Sequence, residues 1–298
     1  MNTGKWQVSR RDFLRASSAT VAALLGARAW GEERDPEVVA RFGLVTDAHF
    51  ADIDTRGSRH YRESIAKMTE CIEFMNEQAV DFLVELGDFT NGAEEGDASH
   101  LETIEAIYAS FRGPRFHVLG NHDLDSLSKA EVQARVENTG IAQDATHYAF
   151  DNGGVHVVVL DANFNPDGTP YDTGNFRWDD ASIPQAQLDW LEADLAANAL
   201  PTIICIHQLL DEDEGMVFVR NAAEVRAVLE RHPEVLAVFQ GHHHAGSYQQ
   251  VGSIHYYTLK AMVEGGGMDS SSYAIVEVFN DGSLAITGYR RADSLHTD

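Results

Sequence analysis

The stretch Phe116-His117-Val118-Leu119-Gly120-Asn121-His122-Asp123 joins a short apolar run to a glycine and three polar side chains. The apolar run predicts a buried strand, and the glycine marks the point at which that strand ends. An amide, an imidazole and a carboxylate then follow at the carboxyl end of the strand, where open α/β sheets collect their functional residues. The stretch therefore predicts a chemical site rather than a surface turn.

Further polar groups follow apolar runs in the same way, at Asp47-Ala48-His49, Gly87-Asp88, His207 and Gly241-His242-His243-His244. Strand ends that supply carboxylate, amide and imidazole groups predict one metal centre, because these donors suit a hydrolytic site with two metal ions. We expect seven ligands, which are Asp47, His49, Asp88, Asn121, His207, His242 and His244. Asp88 is the best candidate for a carboxylate that bridges the two ions.

The composition limits the kinds of molecule that the protein can bind. The chain has 298 residues, with 47 acidic and 22 basic side chains and a formal net charge of −25. This acidic excess argues against binding to a nucleic-acid duplex, which needs a basic surface. Two divalent ions held by two aspartates would leave a local charge of about +2, which can attract a small phosphorylated substrate. The two cysteines, Cys71 and Cys205, are interpreted as buried thiols, with a disulfide left open as the alternative.

The first residues predict an export signal. Ser9-Arg10-Arg11-Asp12-Phe13-Leu14-Arg15 has the twin-arginine pattern, and an apolar run and the cleavage pattern Ala27-Arg28-Ala29 follow it. We therefore expect a twin-arginine signal peptide over residues 1–29, transient binding to the export machinery and a periplasmic or secreted protein. The apolar run is too short for a permanent membrane span. The alternative is an amphipathic N-terminal helix.

Residues 38–292 are predicted to form one domain in which strands and helices alternate. Strands are expected at 40–46, 82–86, 115–119, 147–150, 155–160, 202–206, 235–240, 254–259, 273–279 and 284–289, and helices at 58–78, 100–111, 128–138, 185–197 and 221–231. The repeated strand–helix pattern indicates largely parallel pairing, whereas 147–150 and 155–160 indicate an antiparallel pair. Residues 163–182 are expected to form an irregular binding loop or lid. The pattern predicts an α/β protein with two packed, mixed sheets between helical layers.

The ordered motifs resemble those of the calcineurin-like metallophosphoesterases, in which D-x-H, GD, GNH[DE], H and GH-x-H follow one another. The resemblance runs from Asp47 to His244. It implies a four-layer α/β/β/α sandwich, hydrolysis of phosphoesters and two divalent or mixed-valence ions of Mn, Fe or Zn. By motif position, one ion would be held by Asp47, His49, Asp88 and His244, and the other by Asp88, Asn121, His207 and His242.

Departures from the family pattern narrow the comparison. Serine/threonine phosphatases continue the second motif as GD-x-x-D-R, but Asn91 and Gly92 occupy the last two of those positions here. Purple acid phosphatases have a tyrosine at the position of Asn91. The chain is therefore not expected to belong to either group. Three segments look closer to the manganese-dependent ADP-ribose/CDP-alcohol diphosphatases. They are Phe50-Ala51-Asp52, Arg59-His60-Tyr61-Arg62-Glu63-Ser64 and Ile183-Pro184-x-x-Gln187-Leu188-x-Trp190-Leu191. Cleavage of phosphodiester or nucleoside-diphosphate-linked pyrophosphate bonds is therefore the leading hypothesis.

The expected mechanism is in-line attack on phosphorus by a hydroxide that bridges the two metal ions. His122 would stabilise charge on the phosphoryl oxygens and protonate the leaving oxygen. Asp123 would orient the His122 ring. Three arginines follow the first ligand strand, at Arg56, Arg59 and Arg62. They are expected either to bind a second phosphate or to lie in solvent at the start of a helix. The aromatic residues of the irregular loop, which are Phe164, Tyr171, Phe176 and Trp178, would stack on a nucleobase or anchor the loop.

Two other functions remain open at this point. The first is a phosphomonoesterase that uses the same ligands. The second is a metal-binding anion sensor without catalytic activity, against which the intact His122 and the complete ligand set argue.

Overall fold

The structure, a computed structural model, describes residues 36–92 and 96–297. The predicted signal peptide at residues 1–29 lies outside the described residues. The twelve strands of the described part are β1 (Val38–Val45), β2 (Phe82–Glu85), β3 (Arg115–His117), β4 (Tyr148–Asn152), β5 (Val155–Val159), β6 (Thr202–Cys205), β7 (Val235–Gln240), β8 (Ser247–Val251), β9 (Ile254–Thr258), β10 (Ser272–Phe279), β11 (Leu284–Arg290) and β12 (Leu295–His296). The α-helices there are α1 (Ser64–Gln78), α2 (Asp97–Tyr108), α3 (Lys129–Gln133), α4 (Gln185–Ala197) and α5 (Ala222–Leu229).

The strands form two six-stranded mixed sheets. The first has the order β12-β11-β10-β1-β2-β3 and the second β4-β5-β6-β7-β9-β8. Strands β1, β2 and β3 pair in parallel in the first sheet, as do β5, β6, β7 and β9 in the second. Each sheet continues into antiparallel strands at its edges. The parallel strands therefore bring several carboxyl ends to one edge of each sheet.

Three apolar layers hold the four-layer α/β/β/α sandwich together. The inner faces of the two sheets pack on each other, with Phe42 of the first sheet against Phe239 of the second. Helices α1 to α3 cover the outer face of the first sheet, and α4 and α5 cover that of the second. On α1, the buried residues Met68, Cys71, Ile72 and Met75 recur at helical spacing, so that one stripe of the helix faces the sheet. The predicted fold class is confirmed.

Some boundaries differ from the sequence prediction. The helix expected at 58–78 begins only at Ser64, after a 3₁₀ turn at Tyr61–Glu63. The helix expected at 100–111 is Asp97–Tyr108. The helix expected at 128–138 is only Lys129–Gln133, because the Asn138 side chain accepts a hydrogen bond from the His117 amide and ties the following chain to edge strand β3. Strand β8 was missed because its polar, half-exposed residues form no apolar run.

Both cysteines are buried and free, as expected for thiols rather than a disulfide. Within the described residues, no helix is both long enough and apolar enough to cross a bilayer.

Candidate metal centre

All seven predicted ligands lie where the parallel strands end. Asp47 and His49 follow β1, Asp88 follows β2 and Asn121 follows β3, while the second sheet contributes residues after β6 and β7. Five of the seven are almost completely buried, and His242 and His244 are partly exposed. The structure therefore brings together all the side chains that the motifs singled out, at the interface of the two sheets.

Three groups of donor atoms have members that lie within 4.8 Å of one another. His49, Asp88 and His122 form one group, which shares a member with each of the other two. Of these two groups, one contains Asp47, His49 and His244, and the other contains Asp88, His207 and His242. Asp88 Oδ2 lies 3.5 Å from His49 Nε2 and 3.1 Å from His207 Nε2, so this oxygen faces both groups. A carboxylate in that position can bridge two cations, as the sequence predicted.

Several candidate ligands have an unusual backbone conformation. Their φ angles are positive at Asp47 (51°), His49 (43°), Asp88 (56°) and His242 (63°). A non-glycine residue in this region is uncommon and costs free energy, so such residues cluster where the surrounding structure enforces them. Here backbone hydrogen bonds do so, from the Asp47 amide to the Gly87 carbonyl and from the His49 amide to the Asp88 carbonyl. The sharp turns aim the side chains back into the site.

The electrostatics of the site suit a cation. Although burial opposes it, neighbouring imidazoles hold the pKa of Asp47 and of Asp88 below the ordinary value. Burial lowers the pKa of His49 to about 4 and that of His242 to about 3, so both rings are neutral at neutral pH. Ionised carboxylates and neutral imidazoles are the protonation states that metal binding needs. Against the effect of burial, Asp88 raises the pKa of His207 to about 10, and a cation would take the place of that proton.

Unsatisfied polar atoms provide a test of whether a metal fits. Asp47 Oδ1 and Asn121 Oδ1 are both buried, and neither has a hydrogen-bond partner among the described residues. Asp47 Oδ1 is instead approached by His244 Nε2 at 3.3 Å and His49 Nε2 at 3.5 Å. Buried acceptors without donors cost free energy, and two cations, one beside each oxygen, would satisfy them. The donor set therefore fits the dinuclear centre that the sequence predicted.

His122 lines the site, but its hydrogen-bond partners are not those expected. Its Nδ1 lies 2.8 Å from Asp125 Oδ2 and 2.8 Å from the Asn91 carbonyl oxygen. Asp123 instead accepts hydrogen bonds from the backbone amides of Asp88, Phe89, Thr90 and Gly120. The carboxylate that orients the ring is thus Asp125 rather than Asp123, because the 3₁₀ turn His122–Leu124 directs the two aspartates to different sides. The sequence spacing alone carried no signal for this choice.

Two glycines allow these close approaches. A Cβ on Gly120 would lie 2.0 Å from the Asp88 amide nitrogen, so any side chain there would displace the Asp88 carboxylate. Gly92 has a φ of +66°, and its Cβ would lie 2.2 Å from the His122 carbonyl oxygen and 2.7 Å from Asp125 Oδ2. The departure from the GD-x-x-D-R pattern at Gly92 therefore leaves the room that the Asp125 carboxylate occupies.

A cavity of about 260 Å³ opens over the candidate ligands, and its lining includes Arg59 and Trp178. Trp178 is 44% exposed, and its ring lies 6.0 Å from that of His242. Arg62, which was predicted to bind substrate beside Arg59, instead donates to Asp52 Oδ1 at 2.5 Å and Asp54 Oδ1 at 2.7 Å on the surface. These carboxylates hold its guanidinium in a surface ion-pair cluster.

The other aromatic residues of the irregular loop anchor it. The rings of Tyr171 and Phe176 stack on each other at 3.9 Å, and Tyr171 is buried. The ammonium group of Lys129 lies 3.8 Å from the centre of the Phe164 ring. Of the four aromatic candidates, Trp178 is therefore the one that faces the site.

The comparisons with known proteins agree with this geometry. Residues 40–246 match the family described as calcineurin-like phosphoesterase. The chain is 25% identical to a manganese-dependent ADP-ribose/CDP-alcohol diphosphatase of Oryza sativa subsp. japonica, over 87% of this chain and 94% of that protein. It is 26% identical to a probable cyclic nucleotide phosphodiesterase of Fibrobacter succinogenes, over 70% of this chain and 73% of that protein.

Among solved structures, a dimetal phosphatase from Danio rerio superposes with a TM-score of 0.78 at 21% identity, over 87% of this chain and 99% of that one. This likeness supports the fold, and the family match covers more than two thirds of the sequence. The chain therefore belongs to the calcineurin-like phosphoesterase family and is a metal-dependent phosphoester hydrolase.

Proposed function

We propose that this protein hydrolyses the pyrophosphate bond of nucleoside-diphosphate-linked compounds, of the ADP-ribose or CDP-alcohol type. The observation that carries the proposal is the cavity over the candidate ligands, in which a guanidinium and an exposed indole accompany the metal-binding side chains. A substrate with two phosphates and a base presents a partner for each of these groups. The similarity to the manganese-dependent diphosphatase supports the same substrate class.

In this proposal, Asp47, His49 and His244 would hold one divalent cation and Asn121, His207 and His242 would hold the other. Asp88 lies between the two groups and would be a ligand of both cations. When bound, the two cations polarise the phosphoryl oxygens and lower the pKa of water so that it can attack at neutral pH. The carboxylate and amide oxygens of this donor set suit manganese, and its imidazoles also suit zinc or iron.

His122 donates a proton to the leaving oxygen. Its Nδ1 is engaged by Asp125 and the Asn91 carbonyl, so that the Nε2 edge is the one left for the substrate. Asp125 therefore acts as a positioning residue that selects the tautomer of His122.

Arg59 and Trp178 determine the substrate class. The guanidinium can bind the phosphate that is not attacked, because its planar donors match phosphate oxygens. The exposed indole face can stack on a nucleobase. A phosphomonoester offers no second phosphate for the guanidinium and would use only part of this cavity.

The test compares substrates with purified protein and added Mn²⁺. ADP-ribose and a CDP-alcohol should be cleaved with higher kcat/KM than bis-p-nitrophenyl phosphate, and p-nitrophenyl phosphate should be the poorest of the four. Asp88→Asn, assayed in parallel, controls for contaminating hydrolases. Preference for the monoester would contradict the proposal, and no turnover of any substrate would favour an anion-binding role.

Phosphodiester hydrolysis is the second candidate function, favoured by the similarity to the probable cyclic nucleotide phosphodiesterase. A diester has a single phosphate, so its hydrolysis should not depend on Arg59. Substitution Arg59→Gln should therefore reduce turnover of ADP-ribose more than turnover of bis-p-nitrophenyl phosphate if pyrophosphates are the substrates. Equal changes on the two substrates would show that Arg59 does not bind a second phosphate and would favour the diester.

We also propose that residues 1–29 direct export through the twin-arginine route and that residues 38–292 form the mature catalytic domain. The Arg10-Arg11 pair and the Ala27-Arg28-Ala29 cleavage pattern support this proposal. Replacement of both arginines by lysine should retain the protein in the cytoplasm, as measured by cell fractionation. Unchanged export of that variant would contradict the proposal.

A further inference from the structure

The segment that follows β9, residues 261–265, is hydrogen-bonded to both of the loops that carry the candidate ligands Asp47, His49 and His244. The Val263 amide donates to the Asp47 carbonyl at 3.0 Å, and the Ala261 amide donates to the His244 carbonyl at 3.2 Å. We refer to residues 261–265 as the β9 strap. Its position fixes the backbone on either side of the Asp47, His49 and His244 group.

Glu264 of the β9 strap contacts one of the predicted ligands directly. Its Oε1 lies 2.7 Å from His244 Nδ1, while His244 Nε2 lies 3.3 Å from Asp47 Oδ1 and 3.1 Å from His49 Nε2. One ring nitrogen is therefore bound to a carboxylate outside the ligand set, and the other faces the donor cluster. A carboxylate in this place fixes the tautomer and orientation of an imidazole and raises its basicity.

The β9 strap is itself held by a buried lysine. Lys67 on α1 is fully buried, and its ammonium group donates to the Met262 carbonyl at 2.9 Å and the Gly265 carbonyl at 2.7 Å. Lysine is almost never fully buried without partners, and here main-chain carbonyls of the strap are its hydrogen-bond acceptors. The carbonyl of Glu264 also accepts from Arg291 Nη1 at 2.9 Å. Glu264 thus projects from a backbone that is fixed on both sides.

The same carboxylate also faces a basic side chain of the cavity. Arg59 Nε lies 3.8 Å from Glu264 Oε1, the oxygen that contacts His244. At this distance the guanidinium interacts with Glu264 by charge rather than by a hydrogen bond. The stronger contact of Oε1 is therefore with the imidazole.

From these contacts we propose that Glu264 is a positioning residue that sets the metal affinity of the half-site formed by Asp47, His49 and His244, and that Lys67 fixes the β9 strap from which it acts. The proposal rests on the dinuclear centre of the proposed function. It predicts an asymmetry, because loss of Glu264 should weaken one of two bound ions and leave the other unchanged.

The test is a titration of metal-stripped protein with Mn²⁺, followed by the electron paramagnetic resonance signal of the free ion. The wild type should bind two equivalents. Glu264→Ala should bind one equivalent as the wild type does and the other with about 10- to 100-fold lower affinity. Glu264→Gln keeps the size of the side chain and an acceptor oxygen, so it should fold normally and lose less affinity than the alanine variant.

Glu63→Gln is the matched control. Glu63 Oε2 accepts a hydrogen bond from the Gly267 amide at 2.5 Å, beside the β9 strap, and its carboxylate does not contact His244. The Glu63→Gln substitution therefore removes the same charge as Glu264→Gln without changing a contact of His244. Both equivalents should bind to this variant as they do to the wild type. Equal weakening of both equivalents in Glu264→Ala, or none, would overturn the inference. A wild type that does not bind two equivalents would instead overturn the dinuclear centre itself.

Discussion

The candidate metal centre and a second cluster at the start of β5 both combine imidazole with carboxylates, yet their contacts differ. In the second cluster, His156 Nδ1 lies 2.6 Å from Asp151 Oδ1 and His156 Nε2 lies 2.8 Å from Asp194 Oδ2. Each nitrogen therefore has its own carboxylate. In the metal centre, His49 Nε2 is 3.5 Å from both Asp47 Oδ1 and Asp88 Oδ2, so several donors converge without pairing.

The backbone conformation also differs between the two clusters. Asp47, His49 and Asp88 have positive φ angles, whereas His156 lies within a regular strand. Buried acceptors without donors and strained turns are costly, and they persist where function requires them. Convergence of unpaired donors, rather than the mere presence of histidine and aspartate, therefore distinguishes a metal site from a structural ion pair.

The largest effect on activity that tests this contrast comes from His122→Ala. Loss of the proposed proton donor should lower kcat by about 10²- to 10⁴-fold, while metal content stays at the wild-type level because the seven predicted ligands remain to hold the ions. The measurement is kcat on ADP-ribose together with metal analysis of the same sample. Full activity would remove His122 from the mechanism, and loss of metal would make it a ligand.

Asp125→Asn should lower kcat less than His122→Ala does. The Asn91 carbonyl still accepts from His122 Nδ1 in this variant, so the ring keeps one of its two contacts. We expect kcat to fall by about 10- to 100-fold, with unchanged metal content. Asp123→Asn provides the comparison, because Asp123 binds backbone amides and its loss should lower thermal stability more than Asp125→Asn does. An Asp125→Asn variant with wild-type kcat would show that this carboxylate does not orient the ring.

The smallest effect on activity is expected from a substitution in the second cluster, at His156. His156→Gln should leave kcat unchanged and lower the free energy of unfolding by about 1 kcal/mol. Although burial opposes it, Asp194 and Asp151 raise the pKa of His156 in the folded protein above the ordinary value. Its stabilising contribution is therefore complete below the pKa of the unfolded state and is lost as the pH rises through the folded-state pKa.

The check is denaturant unfolding of wild type and His156→Gln at about pH 6 and about pH 9. The difference between the two proteins should be larger at the lower pH. A difference that grows with pH would contradict the sign of the pKa shift, and a loss of activity would place this cluster in the catalytic machinery.

Much of the fold and of the ligand set could be predicted from the sequence because both depend on local patterns. Each ligand follows an apolar run, and the carboxyl ends of parallel strands meet at one edge of a sheet. Helix α4 and strand β7 have the predicted boundaries, since each has a continuous pattern and a clear start. In contrast, α3 is shorter than predicted, because Asn138 makes contacts with β3 and Tyr148 that only the folded chain reveals.

The residues that support the ligands were harder to predict. Glu264 lies 20 positions after His244 in a segment without a motif, and only the packing of the β9 strap on the ligand loops brings the two together. Asp123 was predicted to orient His122, whereas Asp125 contacts the ring, because spacing along the chain does not reveal which carboxylate a 3₁₀ turn directs at His122. Such contacts depend on long-range packing, which a single sequence does not specify.

The most direct test of the central claim is a crystal structure of the protein with Mn²⁺, with anomalous scattering used to locate the metal. The account predicts two manganese ions about 3.5–4 Å apart. The Asp88 carboxylate should contact both ions, with Asp47, His49 and His244 around one and Asn121, His207 and His242 around the other. A single ion, or two ions that do not share Asp88, would contradict it.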